Sequence, residues 1–168
     1  MSLHKVLIGG AWKESHSSGS FQADDPRLAQ PIDESYPVSA WQDCDEALDY
    51  AVSAFAALRA CSREQIASFL ECYADRIEAA SSGICELASR ETALPVEPRL
   101  ASGELPRTTG QLRQAADAAR NASWCQPTID TQSGIRSCFG AICPVAVFGP
   151  NNFPLAFGSV SGGDFAAA

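Results

Sequence analysis

Two neighbouring carboxamides, Asn151 and Asn152, stand where a short apolar run gives way to a Gly-Pro break. Val145, Ala146, Val147 and Phe148 carry no charge, which is the pattern of a strand buried on both faces of a parallel sheet. Gly149 and Pro150 end that run, and Pro154 suits the first turn of a helix, where its missing N–H costs nothing. A polar residue at the carboxyl end of a strand and near a helix N-terminus is where open α/β sheets bind ligands. The residues alone leave two readings: a ligand site with an amide donor, or an ordinary turn, since Gly, Pro and Asn are common turn formers.

Other chemistry-bearing residues point less clearly. The seven cysteines, at 44, 61, 72, 85, 125, 138 and 143, are irregularly spaced and contain no Cys-x-x-Cys pair. They read as small buried hydrophobes of a reducing compartment. The histidines His4 and His16 both lie near the start and read as solvated, so no metal site is expected. Glu91 and Glu104 fall in helical patterns and read as solvated or capping carboxylates. Gly158, Gly162 and Gly163 are wrongly spaced for a phosphate loop and follow a helical pattern instead of a strand.

The elements that must position the carboxamides begin with a hairpin, Val6–Ile8 and Ala11–Lys13 around Gly9-Gly10, to which Phe21–Ala23 adds a third strand. Asp24–Arg27 is a turn, and Pro31 to Val38 is extended. Ser39 and Gln42 form a capping box, followed by an apolar stripe of Cys44, Ala47, Leu48, Ala51, Val52, Phe55 and Leu58 that should face the core. Ser62 and Gln65 repeat the box ahead of Ile66, Phe69, Leu70, Tyr73 and Ile77, ended by Ser81-Ser82-Gly83, which suggests an antiparallel helical hairpin. A shorter helix covers Ile84 to Thr92, closed by Pro95 and Pro98. Another starts at Leu100 or Pro106 and runs through Ala119, with Pro106 kinking or delaying it. Trp124 to Thr131 connects to an alternating edge strand around Ile135, Ser137 and Phe139.

A formal net charge of −8 and a pI near 4.6 argue against nucleic acid and anionic membrane as partners, since both reward clustered Lys and Arg. The start lacks a signal-peptide pattern, and the apolar carboxyl third is punctured by Pro144, Pro150, Asn151, Asn152 and Pro154, so no membrane span is expected. A cytoplasmic location is the default. From Cys143 to Ala168 the only charged residue is Asp164, and the chain ends in mid-pattern without a helix C-cap. The expectation is a polypeptide cut short.

The run from Pro144 to Pro154, with Leu155-Ala-Phe-Gly-Ser-Val-Ser-Gly-Gly-Asp164, resembles the aldehyde dehydrogenase superfamily where it enters its cofactor domain. Glu91-Thr-Ala-Leu-Pro95 and Arg107-Thr-Thr-Gly-Gln-Leu-Arg113 are similar to the branch that oxidises 2-oxoglutarate semialdehyde (2,5-dioxopentanoate). Ile8-Gly-Gly-Ala-Trp12 fits the opening hairpin. The resemblance implies an α/β fold: an amino-terminal β-hairpin and helical hairpin leading into the first strand of a Rossmann-like parallel sheet, incomplete in this chain. The corresponding divisions are 1–38 amino-terminal strands, 39–123 helical region, 124–142 connector and ribbon strand, and 143–168 the start of the dinucleotide-binding sheet.

The resemblance also implies roles. Asn152 matches the asparagine whose side-chain N–H₂ helps form the oxyanion hole, and the main chain of Phe148, Gly149, Pro150 and Asn151 would line the nicotinamide end of NADP or NAD. A small-molecule aldehyde is the implied substrate, and a homo-oligomer the implied assembly, with the ribbon strand at subunit contacts. The family nucleophile lies in a Gly-Gln-x-Cys context, whereas Gly110-Gln111 here leads to Leu112-Arg113, so none of the seven cysteines matches it. The chain by itself is therefore expected to be inactive. The competing reading is a truncated, non-catalytic remnant or an interaction module.

Overall fold

Gly9 and Gly10 take φ of +61° and +81°, the left-handed pair that a two-residue hairpin turn requires. They join β1 (Val6–Ile8) to β2 (Ala11–Lys13) with Ile8 opposite Ala11, as the Gly-Gly spacing predicts. A side chain at Gly9 would strike the Tyr50 ring, so this turn lies directly on the first helix. The computed structural model describes residues 3–168. β3 (Ser17–Asp25) and β4 (Gln30–Ser39) pair antiparallel with each other, so Phe21–Ala23 belongs to a second ribbon and not to a third strand of the first hairpin.

The helix α1 (Trp41–Leu58) comes next, but Ser39 does not cap it. The N-cap is one residue later, at Ala40, without a side-chain bond, because Ser39 is still in β4 and its hydroxyl meets Ser15 Oγ at 3.0 Å. Asp43 does the anchoring. Its buried carboxylate accepts from Ser15 Oγ at 2.6 Å and from the His16 main-chain N–H at 3.0 Å, and lies 2.7 Å from the His16 ring Nδ1. The Ser15 hydroxyl, then His16, hold that carboxyl below its ordinary range. Lys13 pairs with Glu46, fixing β2 to the same helix.

The second capping box is present in both directions: Ser62 Oγ accepts the Gln65 N–H at 3.2 Å and Gln65 Oε1 accepts the Ser62 N–H at 2.8 Å, opening α2 (Arg63–Ala79). Its partner is not α1. α2 packs against α4 (Leu105–Asn121), and the core forms where Ala67, Leu70, Ala74 and Ile77 meet Leu105, Leu112 and Ala116. The apolar stripe of α1 stays largely uncovered, with Leu48, Val52 and Leu58 exposed, so the expected helical hairpin is not formed. The alanines on the α2–α4 seam allow close approach, and Arg113 to Asp75 and Glu78, with Arg120 to Glu64 and Glu71, flank it with surface ion pairs.

Helix α3 (Ser81–Thr92) begins at the Ser81–Gly83 stretch, which the pattern assigns only to the end of α2, and it stops at Ala93 in the left-handed region. Arg27, from the β3–β4 turn, donates to the Ser89 carbonyl at 3.0 Å, placing a cation at this carboxyl end. Between α3 and α4 the chain winds through Val96–Glu104 in wide turns, with the Leu100 N–H reaching the Pro95 carbonyl and the Leu105 N–H reaching Leu100. That widening accommodates Pro106, which lacks an N–H and would crowd the carbonyl four residues back in an ordinary helix. Beyond α4, β5 (Thr128–Asp130) and β6 (Ile135–Ser137) make an exposed hairpin, the ribbon expected around Ile135.

Of the seven cysteines only Cys85 is buried, and burial raises its thiol. Cys44, Cys61, Cys72, Cys138 and Cys143 are exposed, contrary to their reading as core residues, because the faces that carry them are not packed. None of the helices among the described residues is long and apolar enough to cross a membrane. Leu112 is fully buried on the α2–α4 seam, so Leu112→Ala should lose about 2–5 kcal/mol of unfolding free energy in urea titration. A loss below about 1 kcal/mol would show that this seam is not the core.

Candidate active site

Residues 144–150 form no regular element and have no β partner among the described residues, and Val145 and Phe148 are 61% and 88% exposed. The buried first strand expected here is therefore unpaired in this chain. A strand becomes regular only when its N–H and C=O groups meet a neighbour, and the three sheets present are separate antiparallel pairs. The helix expected from Pro154 is likewise a single turn, closed by Phe157 N–H to the Phe153 carbonyl at 3.2 Å and Gly158 N–H to Leu155 at 3.1 Å.

That turn is anchored from below. Glu104, 1% exposed, extends one carboxylate oxygen to the main-chain N–H groups of Leu155 at 3.0 Å and Ala156 at 3.2 Å. Its other oxygen lies 3.0 Å from Arg99 Nη2 in an ion pair. Arg99 in turn donates to the Asn152 carbonyl at 3.1 Å and lays its guanidinium 4.2 Å from the centre of the Phe153 ring. The two carboxylate oxygens are thus partnered differently, one by two N–H groups at the start of the turn through hydrogen bonds and the other by a cation through charge alone. Arg107 over Phe157, at 4.8 Å, braces the far end of the turn. Tyr73 holds the chain just past it, donating to the Val160 carbonyl at 2.9 Å and meeting Phe165 of α5 (Gly163–Ala167) edge-on.

Three glycines let the segment fold on itself. A Cβ at Gly149 would lie 2.7 Å from Ser159 N, one at Gly158 2.5 Å from the Pro154 carbonyl, and one at Gly162 2.6 Å from Phe157 C. Gly149 thus has a structural duty of its own, packing the end of the apolar run against Ser159. Asn152 is exposed, with its main chain held by Arg99 and its carboxamide at the surface. Phe148, Gly149, Pro150 and Asn151 are also exposed, so the structure brings the five expected site residues together on one open loop.

The expectation of a solvated or capping carboxylate holds for Glu104 only in part: it caps, but it is buried. The signal lies in the spacing of Leu100, Glu104, Thr108 and Leu112, which places the acid within a stripe at four-residue steps that is otherwise uncharged and begins and ends in leucine. Glu91 lies apart from the loop, where burial and Glu34 raise its carboxyl above the ordinary range.

Residues 12–163 match the model of the aldehyde dehydrogenase family. The chain belongs to the aldehyde dehydrogenase family. It is 40% identical, over its whole length, to alpha-ketoglutaric semialdehyde dehydrogenase 2 of Azospirillum brasilense, of which it covers 33%. The structure of a putative aldehyde dehydrogenase from Burkholderia cenocepacia superposes with a TM-score of 0.79 over 98% of this chain and 33% of that one, at 27% identity. The NADP-dependent glyceraldehyde-3-phosphate dehydrogenase of Bacillus halodurans, solved with NADP, shares the fold at a TM-score of 0.72 and 20% identity, over 99% of this chain and 39% of that one. The chain spans about a third of the length of the curated relatives it matches.

Since a Cβ at Gly149 has no room, Gly149→Ala should displace the loop from Ser159 and cost about 1–3 kcal/mol, with cofactor absent. Urea unfolding of the purified chain checks this. An unchanged midpoint would mean that the Gly149–Ser159 approach is not made.

Proposed function

We propose that this chain forms the amino-terminal third of an NAD(P)-dependent aldehyde dehydrogenase that oxidises an aldehyde to a carboxylate through a cysteine thioester. The supporting observation is Asn152, whose side chain is free at the surface while its main chain is clamped. When a thiolate adds to an aldehyde, the carbonyl oxygen gains negative charge. A neutral N–H₂ donor aimed at that oxygen stabilises it more than it stabilises the starting carbonyl, which is the condition for accelerating the reaction. An amide does so without adding a charge that would perturb the thiolate.

The exposed main chain of Phe148, Gly149, Pro150 and Asn151 fits the nicotinamide end of NADP or NAD, because backbone at the exit of the apolar run is open to a flat ring. The nicotinamide, when bound, supplies the hydride acceptor. The residues of this chain orient the aldehyde oxygen, through the Asn152 amide, and border the cofactor. The nucleophilic cysteine and the general-base glutamate come from polypeptide beyond these residues, since no cysteine here follows Gly-Gln and Glu104 is committed to the turn.

The substrate assigned is 2-oxoglutarate semialdehyde, on the 40% identity to a relative of that name and on the Arg107–Arg113 and Glu91–Pro95 segments. The intact enzyme is assigned as a cytoplasmic homo-oligomer, with the exposed β5–β6 hairpin at subunit contacts.

In the complete dehydrogenase polypeptide, Asn152→Ala should lower turnover about 10²–10³-fold while NAD(P) binding persists. The isolated 168-residue chain should show no aldehyde-dependent NAD(P) reduction. Steady-state turnover of Asn152→Ala within about threefold of the parent would remove the oxyanion assignment, and turnover by the homogeneous isolated chain would place the nucleophile among its own cysteines.

A further inference from the structure

We propose that Arg99 and Glu104 are positioning residues for Asn152: their ion pair, with Glu104 buried and Arg99 partly exposed, sets where the oxyanion donor stands. The inference rests on the reading of Asn152 given above and goes beyond it, to residues that never touch the aldehyde.

The geometry is specific to the loop. The pair reaches four of the five residues from Asn152 to Ala156: the Asn152 carbonyl at 3.1 Å, the Phe153 ring at 4.2 Å, the Leu155 N–H at 3.0 Å and the Ala156 N–H at 3.2 Å. Holding the Asn152 carbonyl restrains the peptide plane that joins Asn152 to Phe153 and so places the Asn152 Cα, the point from which its side chain departs. The grip comes from a packed part of the molecule, since Glu104 lies between the buried Leu100 and Leu105 at the head of α4, whose middle is packed through Leu112 and Ala116 against α2.

Stability alone is a poor reason for this arrangement. Replacing a buried ion pair by well-packed hydrocarbon is often neutral or stabilising, and Glu104 already has a helix-stripe position that a leucine could fill. What hydrocarbon cannot do is accept two N–H groups and, through an arginine, donate to a carbonyl at a fixed distance. Inside a site of low polarity such bonds are stronger and more directional than in water. A donor displaced by about 1 Å from a developing charge can cost about 10²-fold in rate, so a brace that suppresses such displacement has a kinetic consequence.

The test is a double-mutant cycle in the complete dehydrogenase polypeptide, measuring kcat, the aldehyde KM and NAD(P) affinity for the parent, Arg99→Met, Asn152→Ala and the double variant. Methionine keeps an apolar stem over Phe153 and Glu104 keeps its two N–H partners, so Arg99→Met should fold at reduced stability, and urea unfolding of each variant fixes the conditions under which all four are folded. Arg99→Met should lower kcat by about tenfold or more, with KM and NAD(P) affinity within about threefold of the parent. In the Asn152→Ala background the same substitution should change kcat by less than about threefold, because the donor it positions is gone. Glu104→Gln, which keeps the shape and loses the charge, should show the same non-additivity, and Arg99→Met carries the result if Glu104→Gln does not fold. If Asn152→Ala falls and Arg99→Met stays within about threefold of the parent, or if the two effects multiply, the positioning role is overturned and the oxyanion assignment stands. If Asn152→Ala itself stays within about threefold, the oxyanion assignment fails and the positioning role with it.

Discussion

The Glu104 carboxylate is the point on which the loop depends. Removed from water at the head of α4, it accepts two main-chain N–H groups and faces Arg99, so the turn at 153–158 cannot shift without leaving buried carboxylate oxygen unpartnered. Losing one partner of such a pair costs far more than the pair contributes on balance. That asymmetry makes the carboxylate a locator: it tolerates one arrangement of the chain between Asn152 and Ala156 and penalises the rest.

The locator works because the structure behind it is packed. Leu112 and Ala116 on α4 against Ala67, Leu70 and Ala74 on α2 form the seam, and the wide turns before α4 deliver Leu100, Glu104 and Leu105 to its edge. Elsewhere much apolar surface is uncovered: the α1 stripe, the β5–β6 hairpin and the run from Val145 to Phe148. The curated relatives are about three times as long as this chain. The ordered loop and the uncovered run adjoin at Gly149, whose missing side chain lets one fold against the other.

Local signals are readable where chemistry is local. The Gly9-Gly10 turn and the Ser62–Gln65 box follow from backbone stereochemistry and from two orphan donors that need partners at fixed spacing, and both occur as read. Ser39–Gln42 has the same spacing and fails, because Ser39 is held in β4 by tertiary contacts that no spacing records. Periodicity shows that α1 and α2 each have an apolar face, but not which helix meets which, and α2 pairs with α4. The strand at 145–148 shows the same limit: its composition is that of a buried strand, yet the hydrogen bonds that would make it one are absent among the described residues. Asn151 and Asn152 stand out through their Gly-Pro frame. Arg99 and Glu104 do not, because they meet the loop across about fifty residues of chain, and only the acid's place in a stripe framed by Leu100 and Leu112 hints at burial.

Amide hydrogen exchange at Leu155 and Ala156 tests the central claim most directly. If the Glu104 carboxylate anchors the turn, these two N–H groups exchange slowly in the parent chain, although they belong to no regular helix or sheet, and become fast in Glu104→Ala while the α2 and α4 amides stay protected. Rapid exchange of both in the parent, or protection unchanged by the substitution, would contradict the account.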